Sequence, residues 1–167
     1  TRNDFRAVAR ELTQRPGAID LLRLMRRRAV ITFGIEQVAQ DWLTDRDIPT
    51  PVAGTRLTFD EDGRLTGHHP NVVASPTKEH AARRFRELTG SREREILVVG
   101  DSVVDLHMMT AQTFNVLVVP PTELEKKLRD FRESSLAAMW DRITMILSDD
   151  SLEPLVQLLQ DARKSSP

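Results

Sequence analysis

Three short, almost wholly apolar runs constrain this chain more than any other feature: Ala29-Val30-Ile31-Thr32-Phe33, Ile96-Leu97-Val98-Val99 and Val116-Leu117-Val118-Val119. Each is too short for a stable helix and lacks the alternation of a half-exposed strand, so each predicts a strand buried on both faces. Stretches of helical period surround them: residues 4–13, 17–28, 35–44, Pro76 to about Leu88, about 103–112, about 122–139 and 152–163. The helix at 17–28 follows Pro16-Gly17, and Arg26-Arg27-Arg28 close it, where cations suit the negative end of the dipole. Ile143 to Leu147 adds a last edge strand, and Asn71 to Ser75 reads as irregular or a short strand. Leu57, Phe59, Asp60-Glu61-Asp62-Gly63 and Leu65 carry an Asp-Gly turn between alternating runs, the signal of a β-hairpin. Strands separated by helices predict an α/β fold with an open, mostly parallel sheet. Such sheets bind ligands at the carboxyl ends of their strands. The ends to search are Thr32-Phe33-Gly34, Gly100-Asp101-Ser102 and Val119-Pro120.

Composition removes several functional classes. With 167 residues the chain supports one core. Its 24 basic and 25 acidic side chains leave a net charge of −1, so neither nucleic acid nor a membrane surface is an expected partner. There is no cysteine, hence no thiolate nucleophile, thiolate metal site or disulfide. No apolar run approaches the roughly 18 residues that span a bilayer, and a cytoplasmic location is the expectation. The chain opens Thr1-Arg2-Asn3-Asp4, with no Met and no signal peptide, so the natural amino terminus is expected elsewhere.

The second strand end carries the strongest chemistry: Gly100-Asp101-Ser102-Val103-Val104-Asp105. Asp101 directly follows a buried strand, and Asp105 lies one helical turn on, on the same side. Two carboxylates so placed can hold a hard cation such as Mg²⁺, which takes oxygen ligands and keeps several waters. The alternative is that Asp101 caps the helix and Asp105 is solvated. At the first strand end, Thr32, Phe33 and Gly34 offer a hydroxyl and backbone N–H groups at a helix start, an anion site or an ordinary turn. Lys78, near the start of a helix, gains nothing from the dipole and is either solvated or drawn to an anion. His68-His69, Arg26-Arg27-Arg28 and Arg83-Arg84 read as exposed, and Trp42 and Trp140 as core or interface anchors.

In order and spacing, Thr32, Lys78 and the Gly-Asp-Ser-x-x-Asp motif at Asp101 and Asp105 resemble the second, third and fourth motifs of the haloacid-dehalogenase superfamily. Pro16-Gly17 before a helix, the Ile31-Thr32-Phe33-Gly34 turn and the Phe59-to-Gly67 hairpin are similar to the phosphoserine-phosphatase branch. The resemblance runs from about Pro16 to Val119. It implies a Rossmann-like core and phosphoryl transfer through an aspartyl-phosphate, with Mg²⁺ as cofactor and a small phosphorylated metabolite as substrate. Asp101 would be a metal ligand, and Asp105 would hold the metal's water shell and Lys78. Thr32, Phe33 and Gly34 would hold phosphate oxygens, and Lys78 would neutralise the charge developing on the phosphoryl group.

The family's first motif, an Asp-x-Asp-x-Thr/Val whose first Asp attacks phosphorus, does not occur in order. Asp45-Arg46-Asp47 has the carboxylate spacing but ends a helix after the Thr32 motif instead of following a strand before it. In the family the missing strand lies between those ending at Thr32 and Asp101, and an unpaired buried edge costs roughly 1–3 kcal/mol per unsatisfied group. The expectation is therefore an incomplete core over residues 16–167, with residues 1–15 the tail of a helical cap or a linker. An amino-terminal segment or another chain would complement it, unless the fold is rebuilt, and a homodimer is the alternative partner expectation. This chain alone is expected to be inactive. Two rivals stand beside this reading: an inactive module that binds a phosphorylated ligand or a protein, and a serine hydrolase of the SGNH kind using Ser102. The second needs a carboxy-terminal Asp-x-x-His, whereas the last histidine is His107.

Overall fold

A computed structural model of the chain describes residues 1–67 and 75–165. His68-His69 and the segment 71–74 lie outside the described residues. Five strands are found there: β1 (Val30–Ile35), β2 (Val52–Thr55), β3 (Leu97–Gly100), β4 (Phe114–Val118) and β5 (Met145–Leu147). All their pairings are parallel. The helices are α1 (Arg2–Glu11), α2 (Ala18–Leu24), α3 (Glu36–Thr44), α4 (Ser75–Thr89), α5 (Leu124–Glu133) and α6 (Glu153–Lys164). The α/β class with a parallel sheet is thus the observed one. No described helix is long and apolar enough to cross a membrane.

The strands form two groups, β1–β2 and β3–β4–β5. From β1 the chain steps outward to β2, and from β3 it steps the other way through β4 to β5. Winding therefore reverses between β1 and β3, the switch point at which open α/β sheets take ligands. Among the described residues neither β1 nor β3 has a strand on the edge facing that point.

β4 organises the core because it is paired on both edges and covered on both faces. Val116 and Val118 point into one cluster with Leu21 of α2 and Leu155 and Val156 of α6. Leu117 and Val119 point the other way, against Leu106, Met109 and Phe131. This is the two-residue alternation of a pleated strand with apolar layers on either side. Asn115, wholly buried in the same strand, is satisfied: its Nδ2 donates to the carbonyls of Thr110 and Arg142, both at 2.7 Å, and its Oδ1 accepts from Thr113 Oγ1 at 2.6 Å.

Several boundaries differ from the sequence expectation, each for a local reason. α2 stops at Leu24, because Met25 turns extended and Arg28 folds back to donate to the carbonyls of Leu22 and Met25 at 2.9 and 3.1 Å. The helix expected at 103–112 is a 3-10 helix, Val103–Met108. The helix expected at 122–139 divides into α5 and a 3-10 helix, Ala137–Arg142. Ser134 marks that division: it is extended, and its Oγ donates to the Phe131 carbonyl at 2.8 Å, in competition with helix continuation. The expected hairpin is reduced to one antiparallel bridge, Phe59 to Leu65. β2 was not anticipated. At the amino end, α1 packs on α3 through a forked Arg2–Asp41 pair at 2.5 and 2.8 Å, and Phe5 meets Phe59 edge-on at 5.6 Å.

Candidate functional site

β3 delivers the Asp101 motif to the carboxyl end of the sheet. Gly100, the last paired residue of the strand, lies so close to the following turn that a Cβ there would come 2.4 Å from the Asp105 Cβ. That approach lets the Asp105 carboxylate reach back under the strand end. Its Oδ2 accepts from the N–H of Asp101 at 3.0 Å, the N–H of Ser102 at 3.1 Å and Ser102 Oγ at 2.9 Å. Its Oδ1 accepts from Lys78 Nζ at 2.6 Å. Asp105 is thus buried and wholly engaged with the chain's own donors.

Lys78 comes from the first turn of α4, which packs across β1 and the 3-10 helix Val103–Met108. It is 5% exposed, so the solvated alternative does not hold. Its ammonium sits between Asp105 and the face of Phe33, 4.2 Å from the ring centroid. Both partners compensate its desolvation.

β1 supplies the third wall. It is in register with β2 at Ile31–Ala53 and again at Ile35–Thr55, so extra residues bulge from β1 between them. Thr32, Phe33 and Gly34 form that bulge, a device that re-aims side chains beside functional sites. Phe33 and Gly34 are exposed, and Thr32 is half-buried. Thr32 Oγ1 accepts the Gly34 N–H at 3.0 Å, so that N–H is not free as the sequence suggested, while the hydroxyl keeps its own proton to donate.

A continuous line of contacts therefore joins Phe33, Lys78, Asp105 and Asp101, with Thr32 beside it on the same bulge. The Asp101 carboxylate is exposed and has no hydrogen bond among the described residues. Its main-chain carbonyl accepts from Lys127 Nζ of α5 at 2.6 Å. Nothing local in Glu125-Lys126-Lys127-Leu128 distinguishes Lys127 from its neighbour, so only the fold reveals it. The sequence also gave no sign of Arg15, which lines a cleft of about 210 Å³ with Gly100 and Asp101.

The donor set suits a hard cation: an exposed carboxylate at a strand end, with a neutralised lysine behind it. Among the described residues no group of three or more acidic or histidine side chains could hold a metal. An ion here would rest on Asp101 together with water and substrate oxygens. Asp45 and Asp47 are elsewhere: α3 leaves the carboxyl end of β1 and runs back, so they fall at the far end of the helix. Ser102 Oγ donates at 2.9 Å to Asp105 Oδ2, but that carboxylate already accepts from Lys78 and two main-chain N–H groups, which makes it a poor base for activating a nucleophile.

Between β1 and β3 runs a cavity of about 600 Å³. Ile31 and Val99 face it from the two strands, Leu22 and Met25 from α2 and Phe85 from α4. It is therefore an apolar seam in the plane of the sheet, bounded by two strand edges and roofed on both faces by helices.

A family model described as haloacid dehalogenase-like hydrolase matches residues 1–110. The fold is similar to that of a probable phosphoserine phosphatase from Vibrio cholerae, in its unliganded form, with a TM-score of 0.66 and 17% identity. The match covers 96% of this chain and 47% of that one, so the chain spans about half the length of this solved relative. No curated protein matches the chain.

Proposed function

The chain belongs to the haloacid dehalogenase-like hydrolase family, and on that premise we propose that it is part of a magnesium-dependent phosphatase. Its substrate is a small phosphorylated metabolite, and the reaction runs through an aspartyl-phosphate. The reading rests on the contact line Phe33–Lys78–Asp105–Asp101 at the strand ends flanking the switch point. Phosphoryl transfer asks mainly for positioning and for positive charge around the equatorial oxygens. Lys78 supplies a fixed ammonium, held by Asp105 so that it cannot swing away. Thr32 donates its hydroxyl proton to a phosphate oxygen. Asp101 would be the residue that holds Mg²⁺, and Asp105 steadies both Lys78 and the peptide that bears Asp101. Magnesium supplies charge stabilisation for the transferring phosphoryl group.

The attacking carboxylate is the one component these residues lack. A strand entering the apolar seam between β1 and β3 would bring its carboxyl end beside Asp101 and Lys78, and we assign the Asp-x-Asp pair to such a strand. It comes from an amino-terminal segment of the intact polypeptide or from a different chain. That no acidic pair lies at the seam among the described residues equally suits an inactive binding module, and one experiment separates the two. The intact polypeptide should release phosphate from an aryl phosphate only when Mg²⁺ is present. Metal stabilisation is worth several kcal/mol, so Asp101→Asn should lower the rate by on the order of 100-fold or more. The 167 residues alone should show no turnover. No phosphate release by the intact polypeptide supports the module, and robust release by the 167 residues alone overturns this account of the nucleophile.

A further inference from the structure

We infer that Lys127 is a positioning residue for Asp101, fixing the peptide from which the cation-holding carboxylate projects. The inference rests on the role proposed above for Asp101. Gly100–Leu117 is the last pair of the β3–β4 ladder, so the main chain of Asp101 has already left the sheet. Two bonds replace the ladder. Asp105 Oδ2 accepts the N–H of Asp101 at 3.0 Å, and Lys127 Nζ donates to its carbonyl at 2.6 Å. The peptides on both sides of the Asp101 Cα are thereby held while the carboxylate stays free, a fixed stem with an open head. Metal ligands gain affinity when outer partners orient them in this way.

Lys127 is itself well seated. It lies on α5 one turn before Phe131, which is 1% exposed and packs in the cluster beneath β4. Glu123, one turn earlier, approaches its ammonium at 3.9 Å. The bond to Asp101 is charge-assisted and so stronger than a neutral one. Lys78 carries a full carboxylate partner at 2.6 Å, whereas Lys127 spends its closest contact on a neutral carbonyl. A lysine that only tied α5 to the sheet would affect stability, whereas one that orients Asp101 affects cation affinity.

Mn²⁺ titration of the intact polypeptide without substrate, with free ion followed by electron paramagnetic resonance, separates these roles. Lys127→Met should weaken Mn²⁺ binding by about tenfold, the low end for loss of an outer-shell partner. Its thermal unfolding without metal should stay close to the parent, and Lys127→Arg, which keeps a cationic donor, should recover most of the affinity. Unchanged affinity in Lys127→Met overturns the inference, with or without a drop in melting temperature. So does an affinity loss that Lys127→Arg leaves uncorrected, since that marks general damage to the strand end. Asp101→Asn in the same titration distinguishes the two levels of the argument. If it binds Mn²⁺ as tightly as the parent, the cation role of Asp101 fails and this inference with it. If it loses binding while Lys127→Met does not, only the role of Lys127 fails.

Discussion

Lys78 and Asp105 meet at 2.6 Å with almost no access to water, and removing either leaves the other charged and buried. Breaking such a pair costs about 3–5 kcal/mol, more than the pair contributes over a hydrophobic substitute. Lys78→Met strands the Asp105 carboxylate. Asp105→Asn can keep its oxygen on the three donors at Asp101 and Ser102, but it then aims an amide N–H at the ammonium. Both variants should therefore lose about 3–5 kcal/mol in equilibrium urea unfolding, against which losses under 1 kcal/mol would show the pair to be wetter than described. The carboxylate half of this pair was legible in the spacing of Asp101 and Asp105. The lysine was not legible alone, since a lysine in the first turn of a helix usually faces solvent. Only its order between Thr32 and Asp101 singled it out, and what buries it is the packing of α4 against the β1 bulge and Phe33. Thr32 shows the opposite limit: its identity marked the strand end, while the backbone donor expected beside it, Gly34 N–H, is consumed by the Thr32 side chain itself.

At the scale of elements, the three apolar runs and most helices were readable because burial on both faces erases alternation in the strands, and helical period is strong over ten residues or more. β2 was hidden because Pro51-Val52-Ala53-Gly54-Thr55 has little intrinsic strand character and gains its form from pairing with β1. The helix expected at 122–139 failed at Ser134, where a side-chain bond outcompetes the next turn. The entry to α2 shows how closely two elements depend on each other. Gly17 has φ +78°, and a Cβ there would sit 2.6 Å from the Glu153 nitrogen and 2.8 Å from the Leu152 carbonyl carbon, at the start of α6. Leu152 N–H meanwhile donates to Pro16 O at 2.8 Å, stitching the same junction. Because both clashing atoms are main chain, relief requires α2 and α6 to part. Gly17→Ala should lower stability by on the order of 2–4 kcal/mol, from left-handed strain plus overpacking, read as a drop in melting temperature. A near-neutral result would mean that the two helix starts slide apart freely.

At the scale of the whole molecule, the sheet order 2-1 on one side and 3-4-5 on the other leaves a seam where the winding reverses, and the candidate site sits at the carboxyl end of that seam. Seam and site therefore stand or fall together: a strand that closes the sheet also delivers its last residues to Lys78 and Asp101. Among the described residues alternate amides of β1 and β3 point into the seam with no ladder partner, whereas β4 is paired on both edges and covered on both faces. Native-state hydrogen exchange reads this difference directly, since slow exchange requires a bonded and buried amide. Val116, Leu117 and Val118 should be the slowest-exchanging amides of the sheet. The seam-facing amides of Ile31 in β1, and of Leu97 and Val99 in β3, should exchange about tenfold faster or more, the equivalent of 1.4 kcal/mol less local protection, because Val30 and Val98 lie on the paired edges facing β2 and β4. In the intact polypeptide those same amides should slow towards the β4 rates as the seam fills. If β1 and β3 are already protected as strongly as β4 in the 167 residues alone, the seam is closed without another strand, and the nucleophile must reach Asp101 by some other route.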